Sequence, residues 1–161
     1  KAYRFEGKNG EKILESEIES DCAALHGLVE TLLAAAPAAH CLRDPTRGGL
    51  GSVLHEIASA SGTEIVLDES QVPVSEPVHV ACELLGLDPL FLASEGRLVA
   101  FVPAFEADAA LAALRAHPLG ASAARIGLVG AAARGRVVVH TRAGGRRLLE
   151  RPAGEPLPRI C

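Results

Sequence analysis

Apolar residues recur at helical spacing in four stretches of the chain, and each stretch is followed within two residues by a proline or a glycine. In the first stretch, Leu25, Leu28 and Leu32 mark the repeat, and Pro37 ends it. Because this spacing places the apolar side chains on one face of a helix, the pattern predicts four amphipathic helices. Their predicted bounds are residues 21–36, 50–61, 78–85 and 105–116.

Short runs rich in β-branched and aliphatic residues lie between these helices and indicate strands. The predicted strands are residues 40–43, 63–67, 97–102, 124–129 and 136–140. A Gly-Gly pair at 144–145 predicts a hairpin that returns the chain into residues 147–149. Since helices and strands alternate, we predict an α/β (α+β) fold, with one mixed sheet covered by helices.

The two ends of the chain differ in composition from the part between them. All three lysines, the single asparagine and the single tyrosine lie in the first 12 residues. Residues 1–16 are therefore either a linker or non-native extension, or a native strand in which Tyr3 and Phe5 alternate with charged residues. We predict a folded domain over residues 17–151. Three prolines in residues 152–161 predict an extended, flexible tail that reaches roughly 30 Å.

The overall composition argues against several classes of protein. With 161 residues, of which 48% are hydrophobic and 22% charged, the chain is typical of one folded domain. Its longest apolar run of about eight residues is too short to cross a bilayer. No basic-then-apolar leader opens the sequence, so we expect a cytoplasmic protein without a membrane partner. A net charge of −4 and an aromatic content of 3% argue against nucleic acid as a partner.

Charge is unevenly distributed along the sequence. Residues 115–161 hold nine arginines and two glutamates, whereas most acidic residues precede them. This asymmetry has two interpretations. The two parts attract each other within one fold, or the basic part docks a phosphate or an acidic partner.

Residues 44–50 read DPTRGGL and stand between a predicted strand and a predicted helix. In one interpretation, Asp44 caps the helix and Pro45 occupies its first position. In the other, the helix begins after the two glycines. The backbone N–H groups near Gly48 then approach an anion, and Arg47 contributes its charge.

Glu95 is a second candidate, since it lies between Ser94 and Gly96 just before a predicted strand. It is either a solvated turn residue or a carboxylate that faces a cleft and acts as a base. Cys161 is the last residue of the predicted tail. It has no role, forms a disulfide, or is a reactive thiol whose thiolate is favoured by Arg159 and disfavoured by the α-carboxylate.

The other three cysteines, Cys22, Cys41 and Cys82, form no Cys-x-x-Cys pair and are predicted to be thiols of the core. Cys22 and His26 would share a face of the first predicted helix. Two ligands do not make a zinc site, so no metal ligand is predicted on this chain.

Three stretches taken together resemble one family. They are residues 44–50 (DPTRGGL), 81–96 (ACELLGLDPLFLASEG) and 157–161 (LPRIC). In this order, and with cysteine as the last residue, they resemble the C-terminal half of the HypE hydrogenase maturation family. That family belongs to the PurM-like superfamily of aminoimidazole ribonucleotide synthetase. The resemblance runs from about residue 19 to the end and implies a fold like the PurM C-terminal domain.

The resemblance also implies a reaction for the full-length family member. Its partner HypF places a carbamoyl group on the terminal cysteine. The protein then uses ATP, with magnesium, to dehydrate this S-carboxamide to a thiocyanate, acting as a carbamoyl dehydratase. The cyano group passes through the HypC–HypD complex to the iron of [NiFe]-hydrogenase. A homodimer is implied for the full-length protein.

By its motif, this resemblance gives roles to individual residues. Cys161 is the carrier, and Glu95 positions the amide nitrogen and accepts a proton. The residues implied near the ATP phosphates are Asp44, Thr46, Arg47 and Gly48. Ser94 stands where the family motif has asparagine. The family's N-terminal half carries most of the ATP site and the acidic magnesium ligands, so we expect this chain alone to be inactive and to bind ATP weakly.

Three alternatives to this function remain, of which the simplest is a soluble α/β domain without activity. The chain is a docking module that only binds HypF or the HypC–HypD complex through its tail. Otherwise it is the C-terminal domain of another ATP-dependent PurM-like enzyme, such as a selenophosphate or thiamine-phosphate enzyme, against which the terminal cysteine argues.

Overall fold

The computed structural model describes residues 3–6, 12–16, 20–130, 132 and 134–150. Its helices are α1 (His26–Ala35), α2 (Gly49–Ser61), α3 (Glu76–Leu85) and α4 (Ala107–Ala116). Its strands are β1 (Tyr3–Glu6), β2 (Lys12–Ser16), β3 (Cys41–Arg43), β4 (Glu64–Asp68), β5 (Val99–Phe101), β6 (Gly127–Gly130), β7 (Arg136–His140) and β8 (Arg146–Leu148). Single 3₁₀ turns lie at Glu69–Gln71, Pro89–Phe91 and Pro118–Gly120.

The strands form one mixed sheet and two antiparallel pairs. The sheet has the order β6-β4-β7-β8, in which β4 and β7 are parallel and both outer pairs are antiparallel. Strand β3 pairs with β5, and β1 pairs with β2. The predicted α+β fold with a mixed sheet is therefore confirmed, although β3 and β5 form a ladder of their own.

The main core lies between the mixed sheet and α2. Alternate residues of a strand point to opposite faces, so Ile65 and Leu67 of β4 share one face, and Val137 and Val139 of β7 share it with them. Leu54 and Ala58 of α2 cover this face, and the side chains of this core are almost completely buried. Burial of these aliphatic side chains stabilises the sheet against α2.

A smaller core joins α1 and α4 to the β3–β5 ladder. Leu32 and Ala36 at the C-terminal end of α1 meet Ala110 of α4, and all three are buried. Leu42 of β3 and Ala100 of β5 pack against them. This second core fixes the end of β3, from which the DPTRGGL motif leaves the ladder.

The first helix differs from its prediction at its N-terminal end. It begins at His26 instead of residue 21, and the side chains of Asp21 and Cys22, which precede it, form hydrogen bonds with Glu95. The other predicted helices and strands overlap their observed counterparts. Strand β1 agrees with the interpretation of Tyr3 and Phe5 as a strand. The predicted tail lies outside the described residues.

The uneven charge is partly used inside the fold. Arg136 of β7 forms an ion pair of 2.6 Å with Glu64 of β4. Arg147 of β8 lies 3.3 Å from both Glu69 and Asp88. These pairs support the interpretation that the basic and acidic parts attract each other. Among the described residues, no helix has the length and apolar character that crossing a bilayer requires.

Candidate functional site

The DPTRGGL motif forms a turn between β3 and α2. The hydroxyl of Thr46 donates a hydrogen bond of 2.6 Å to the exposed carboxylate of Asp44. This bond, together with a hydrogen bond from the backbone, lowers the pKa of Asp44. The N-cap of α2 is Gly48, and no side chain caps this end of the helix. The interpretation of Asp44 as the helix cap is therefore wrong, and the helix begins after Gly48.

Two glycines in the left-handed region of the backbone shape this turn, Gly48 at φ 67° and Gly49 at φ 66°. A side chain at Gly49 would also collide with a neighbouring segment. Its Cβ would lie 2.5 Å from the carbonyl oxygen of Leu92 and 2.7 Å from that of Leu90. Only glycine combines this conformation with such a close approach, so the start of α2 rests directly on residues 90–92.

The end of this turn fits an anion. Arg47 is exposed and makes no ion pair within the part of the chain that the structure describes. It lies next to the uncapped N-terminus of α2, where free N–H groups and the helix dipole favour negative charge. A phosphate oxygen could accept hydrogen bonds from both groups of donors. Within the described ranges, no three His, Cys, Asp or Glu side chains converge on a common point.

Glu95 is held beside this turn by a backbone contact. The N–H of Ser94 donates to the carbonyl oxygen of Pro45 at 3.0 Å. Two of the predicted motifs, far apart in the sequence, are therefore neighbours in the fold. The carboxylate of Glu95 is exposed, as a base that must reach a substrate requires.

Two residues that the sequence did not single out for this site also contact Glu95. The backbone N–H of Glu95 donates to Oδ2 of Asp21 at 3.1 Å. The thiol of Cys22 donates to Oε2 of Glu95 at 3.3 Å. Residue 96 lies beneath the same segment, because a Cβ on Gly96 would come within 1.4 Å of the carbonyl oxygen of Asp21. In the sequence, Gly96 is the one residue that indicates this close approach of two backbone segments.

The described cysteines are not equivalent. Cys82 is buried, and that burial, with a smaller contribution from Asp88, raises the pKa of its thiol. Cys41 is half-buried. Cys22 is exposed and precedes α1, so its predicted place in the core and on one helix face with His26 is wrong. Cys161 lies outside the described residues.

One protein family matches most of this chain. The model of "AIR synthase related protein, C-terminal domain" matches residues 3–140. The chain belongs to this family. The match begins well before residue 19, where the resemblance of the motifs begins.

Several proteins that this chain resembles are named as hydrogenase maturation proteins. The chain is 55% identical over 147 residues to carbamoyl dehydratase HypE of Cupriavidus necator, which covers 91% of this chain and 42% of that relative. A crystal structure of HypE in complex with ATP matches with a TM-score of 0.80 and 47% identity, over 87% of this chain and 44% of that one. In the HypE–HypF complex, the matching chain gives a TM-score of 0.81 and 41% identity over 86% and 45%. The chain thus spans less than half the length of the relatives it matches.

Proposed function

We propose that this chain is the carrier-bearing C-terminal half of an ATP-dependent carbamoyl dehydratase in hydrogenase maturation. The relative of this name from C. necator and the HypE structure with ATP support this proposal. The observation that carries it is the hydrogen bond between Ser94 and Pro45, which brings the segment that contains Glu95 beside a turn that suits a phosphate. A dehydration driven by phosphorylation needs a base and a phosphate site side by side.

In the proposed reaction, the sulfur of Cys161 first displaces the donor's leaving group and becomes an S-carboxamide. HypF is the proposed donor, because a HypE structure exists in complex with it. Sulfur suits this role, since a thiolate is a good nucleophile and later leaves well when the cyano group is transferred.

The S-carboxamide then loses the elements of water. Its oxygen is a poor leaving group until the γ-phosphoryl group of ATP is transferred to it. The nitrogen gives up two protons as phosphate departs, and a C≡N bond forms on sulfur. We assign one of these protons to the carboxylate of Glu95 and the other to the departing phosphate. ADP and phosphate are the other products.

The turn before α2 is assigned to the phosphates. Arg47 offers a guanidinium and the start of α2 offers N–H groups near Gly48, both suited to phosphate oxygens. Thr46 holds Asp44 at 2.6 Å, so the carboxylate keeps a fixed orientation at the edge of the turn. Magnesium ligands are assigned to the part of the protein outside this chain. The proposal further includes transfer of the cyano group to a HypC–HypD complex, a homodimer of the full-length protein, and a cytoplasmic location.

The test compares this chain alone with a joined protein, in which the chain replaces the matching part of the C. necator relative. Each is incubated with HypF, carbamoyl phosphate and ATP with magnesium, and the mass of the C-terminal peptide is measured. We expect a carbamoyl adduct on Cys161 that becomes a cyano adduct only in the joined protein. Calorimetry should show weak or no binding of ATP to the chain alone.

Glu95→Gln in the joined protein should accept the carbamoyl group at the normal rate and dehydrate it at least about 100-fold more slowly. Glu83→Gln, on the exposed surface of α3, is the matched control and should behave as the unmodified protein. An adduct that never forms on Cys161 would overturn the proposal. Loading without dehydration in the unmodified joined protein would leave docking and loading as the function.

A further inference from the structure

We propose that Asp21 and Cys22 form a clamp that positions the carboxylate of Glu95 for the dehydration step. This inference rests on the proposed function, because it takes Glu95 to be the proton acceptor. The clamp joins two segments that are more than 70 residues apart in the sequence. Asp21 and Cys22 are positioning residues, since neither is proposed to contact the reacting atoms.

Three contacts make up the clamp. Oδ2 of Asp21 accepts the backbone N–H of Glu95 at 3.1 Å, which fixes the main chain. The thiol of Cys22 donates to Oε2 of Glu95 at 3.3 Å, which fixes the carboxylate. The carbonyl oxygen of Asp21 lies where a Cβ of residue 96 would be, so only glycine at position 96 lets the two backbone segments approach so closely. One side chain of the clamp therefore holds the backbone of Glu95 and the next holds its end group.

Glu95 needs such a clamp because it is exposed. An exposed glutamate has three rotatable bonds and samples many rotamers. A base that removes a proton has to lie within hydrogen-bonding distance of it, and a misplacement of about 1 Å can cost on the order of 100-fold in rate. A donor on one carboxylate oxygen restricts these rotamers and leaves the second oxygen available to the substrate.

The use of a thiol for this donor agrees with its surroundings. Cys22 is exposed, lies outside α1 and has Glu95 as its hydrogen-bond acceptor. Packing of a buried core does not account for a cysteine at this position. A thiol is also a weak donor, so it orients the carboxylate without competing strongly for the proton that the base has to accept.

The experiment measures the two steps of the proposed reaction separately in the joined protein. Loading of carbamoyl on Cys161 does not use Glu95, whereas dehydration does. We expect Cys22→Ala to load at the unmodified rate and to dehydrate about 10- to 100-fold more slowly. Cys22→Ser keeps a donor and should recover most of the dehydration rate. Cys41→Ala, which removes a half-buried thiol with no hydrogen bond to Glu95, is the matched control and should change neither step.

Asp21 is tested in the same way. Asp21→Ala should slow dehydration and also speed hydrogen exchange of the Glu95 amide in the chain alone, because its acceptor is lost. Asp21→Asn keeps a carbonyl acceptor and should restore both. In a Glu95→Gln background, Cys22→Ala should have no further effect on dehydration, because the group that it positions is already gone.

The outcomes separate this inference from the function on which it rests. If the unmodified joined protein dehydrates and Cys22→Ala equals it, the clamp is overturned and the proposed function stands. Equal slowing of loading and dehydration without rescue by serine shows a merely structural role and also overturns the clamp. If the unmodified joined protein loads but never dehydrates, both are overturned.

Discussion

In the mixed sheet, the strands are held by buried aliphatic side chains, whereas in the candidate site the decisive contacts involve the backbone. Leu67 and Val137 are at most 1% exposed, and their side chains fill the space under α2. At the site, Gly49 packs against two carbonyl oxygens, while the candidate carboxylates of Asp44 and Glu95 remain exposed. Backbone contacts thus bring the segments of the site together, and the carboxylates that these segments carry stay at the surface.

The largest expected effect concerns a side chain in the buried face of the mixed sheet. Leu67→Ala should lower the free energy of unfolding by roughly 3–5 kcal/mol, because it removes a fully buried side chain and leaves a cavity. Leu128 of β6 is 53% exposed, and Leu128→Ala should cost less than about 1 kcal/mol. Urea denaturation of the chain measures both. Similar losses of unfolding free energy in the two variants would contradict the conclusion that side chains facing α2 stabilise the sheet.

A glycine of the site comes next. Gly49→Ala combines a left-handed backbone with a collision against Leu90 and Leu92, and should cost roughly 2–4 kcal/mol. Gly62 has the same kind of backbone, with φ 69° and nothing within 4 Å of a Cβ. Gly62→Ala therefore measures only the cost of the left-handed backbone conformation, which is about 1 kcal/mol. If unfolding in urea gives equal losses, the close approach at Gly49 contributes nothing.

The same kind of ion pair occurs in both regions and should differ in strength. The pair of Arg136 with Glu64 spans the parallel strands, and the side chain of Glu64 is 12% exposed. The pair of Arg43 with Glu56 flanks the site, with both side chains above 40% exposed. Double-mutant cycles should give coupling of about 1 kcal/mol for the first pair and about 0.3 kcal/mol for the second, which salt should weaken. The reverse ranking would show that burial does not decide their strength.

The smallest expected effect is a change in titration. A hydrogen bond from the Thr46 hydroxyl lowers the pKa of Asp44 at the site, and hydrogen bonds from the side chain and backbone of Ser70 lower the pKa of Asp68 at the end of β4. Thr46→Val should raise the pKa of Asp44 alone, and Ser70→Ala that of Asp68 alone, as followed by carboxyl carbon NMR. A lowered pKa in the folded state stabilises the protein above the ordinary carboxyl pKa, and this contribution is lost as the pH falls through the folded value. Movement of both groups in one variant would contradict their independence.

Most elements of the fold could be predicted because their signals are local. The apolar repeat of α2 ends at Gly62, which adopts the left-handed conformation that terminates helices. The run of β-branched residues in β7 predicted its bounds without error. The local sequence pattern could not predict which strands pair, since the partners β4 and β7 are separated by two helices and two other strands.

The candidate site was predictable only in part, and for the same reason. Asp44, Arg47 and Glu95 were found from their motifs, and the structure brings the two motifs together. The clamp residues Asp21 and Cys22 were missed, because the helical repeat of α1 continues backwards through them in the sequence. Their hydrogen bonds to Glu95 outweigh that local preference.

The parallel pairing of β4 and β7 has a consequence for how the chain folds. Glu64 and Arg136, which face each other across this pair, are 72 positions apart. Closing so large a loop costs entropy before any contact across it can compensate, which slows folding of such topologies. On the ribosome, β4 emerges long before its partner and keeps an unpaired edge until β7 has been synthesised. Chains that terminate before Arg136 should therefore aggregate, whereas chains that reach Leu149 can complete the sheet.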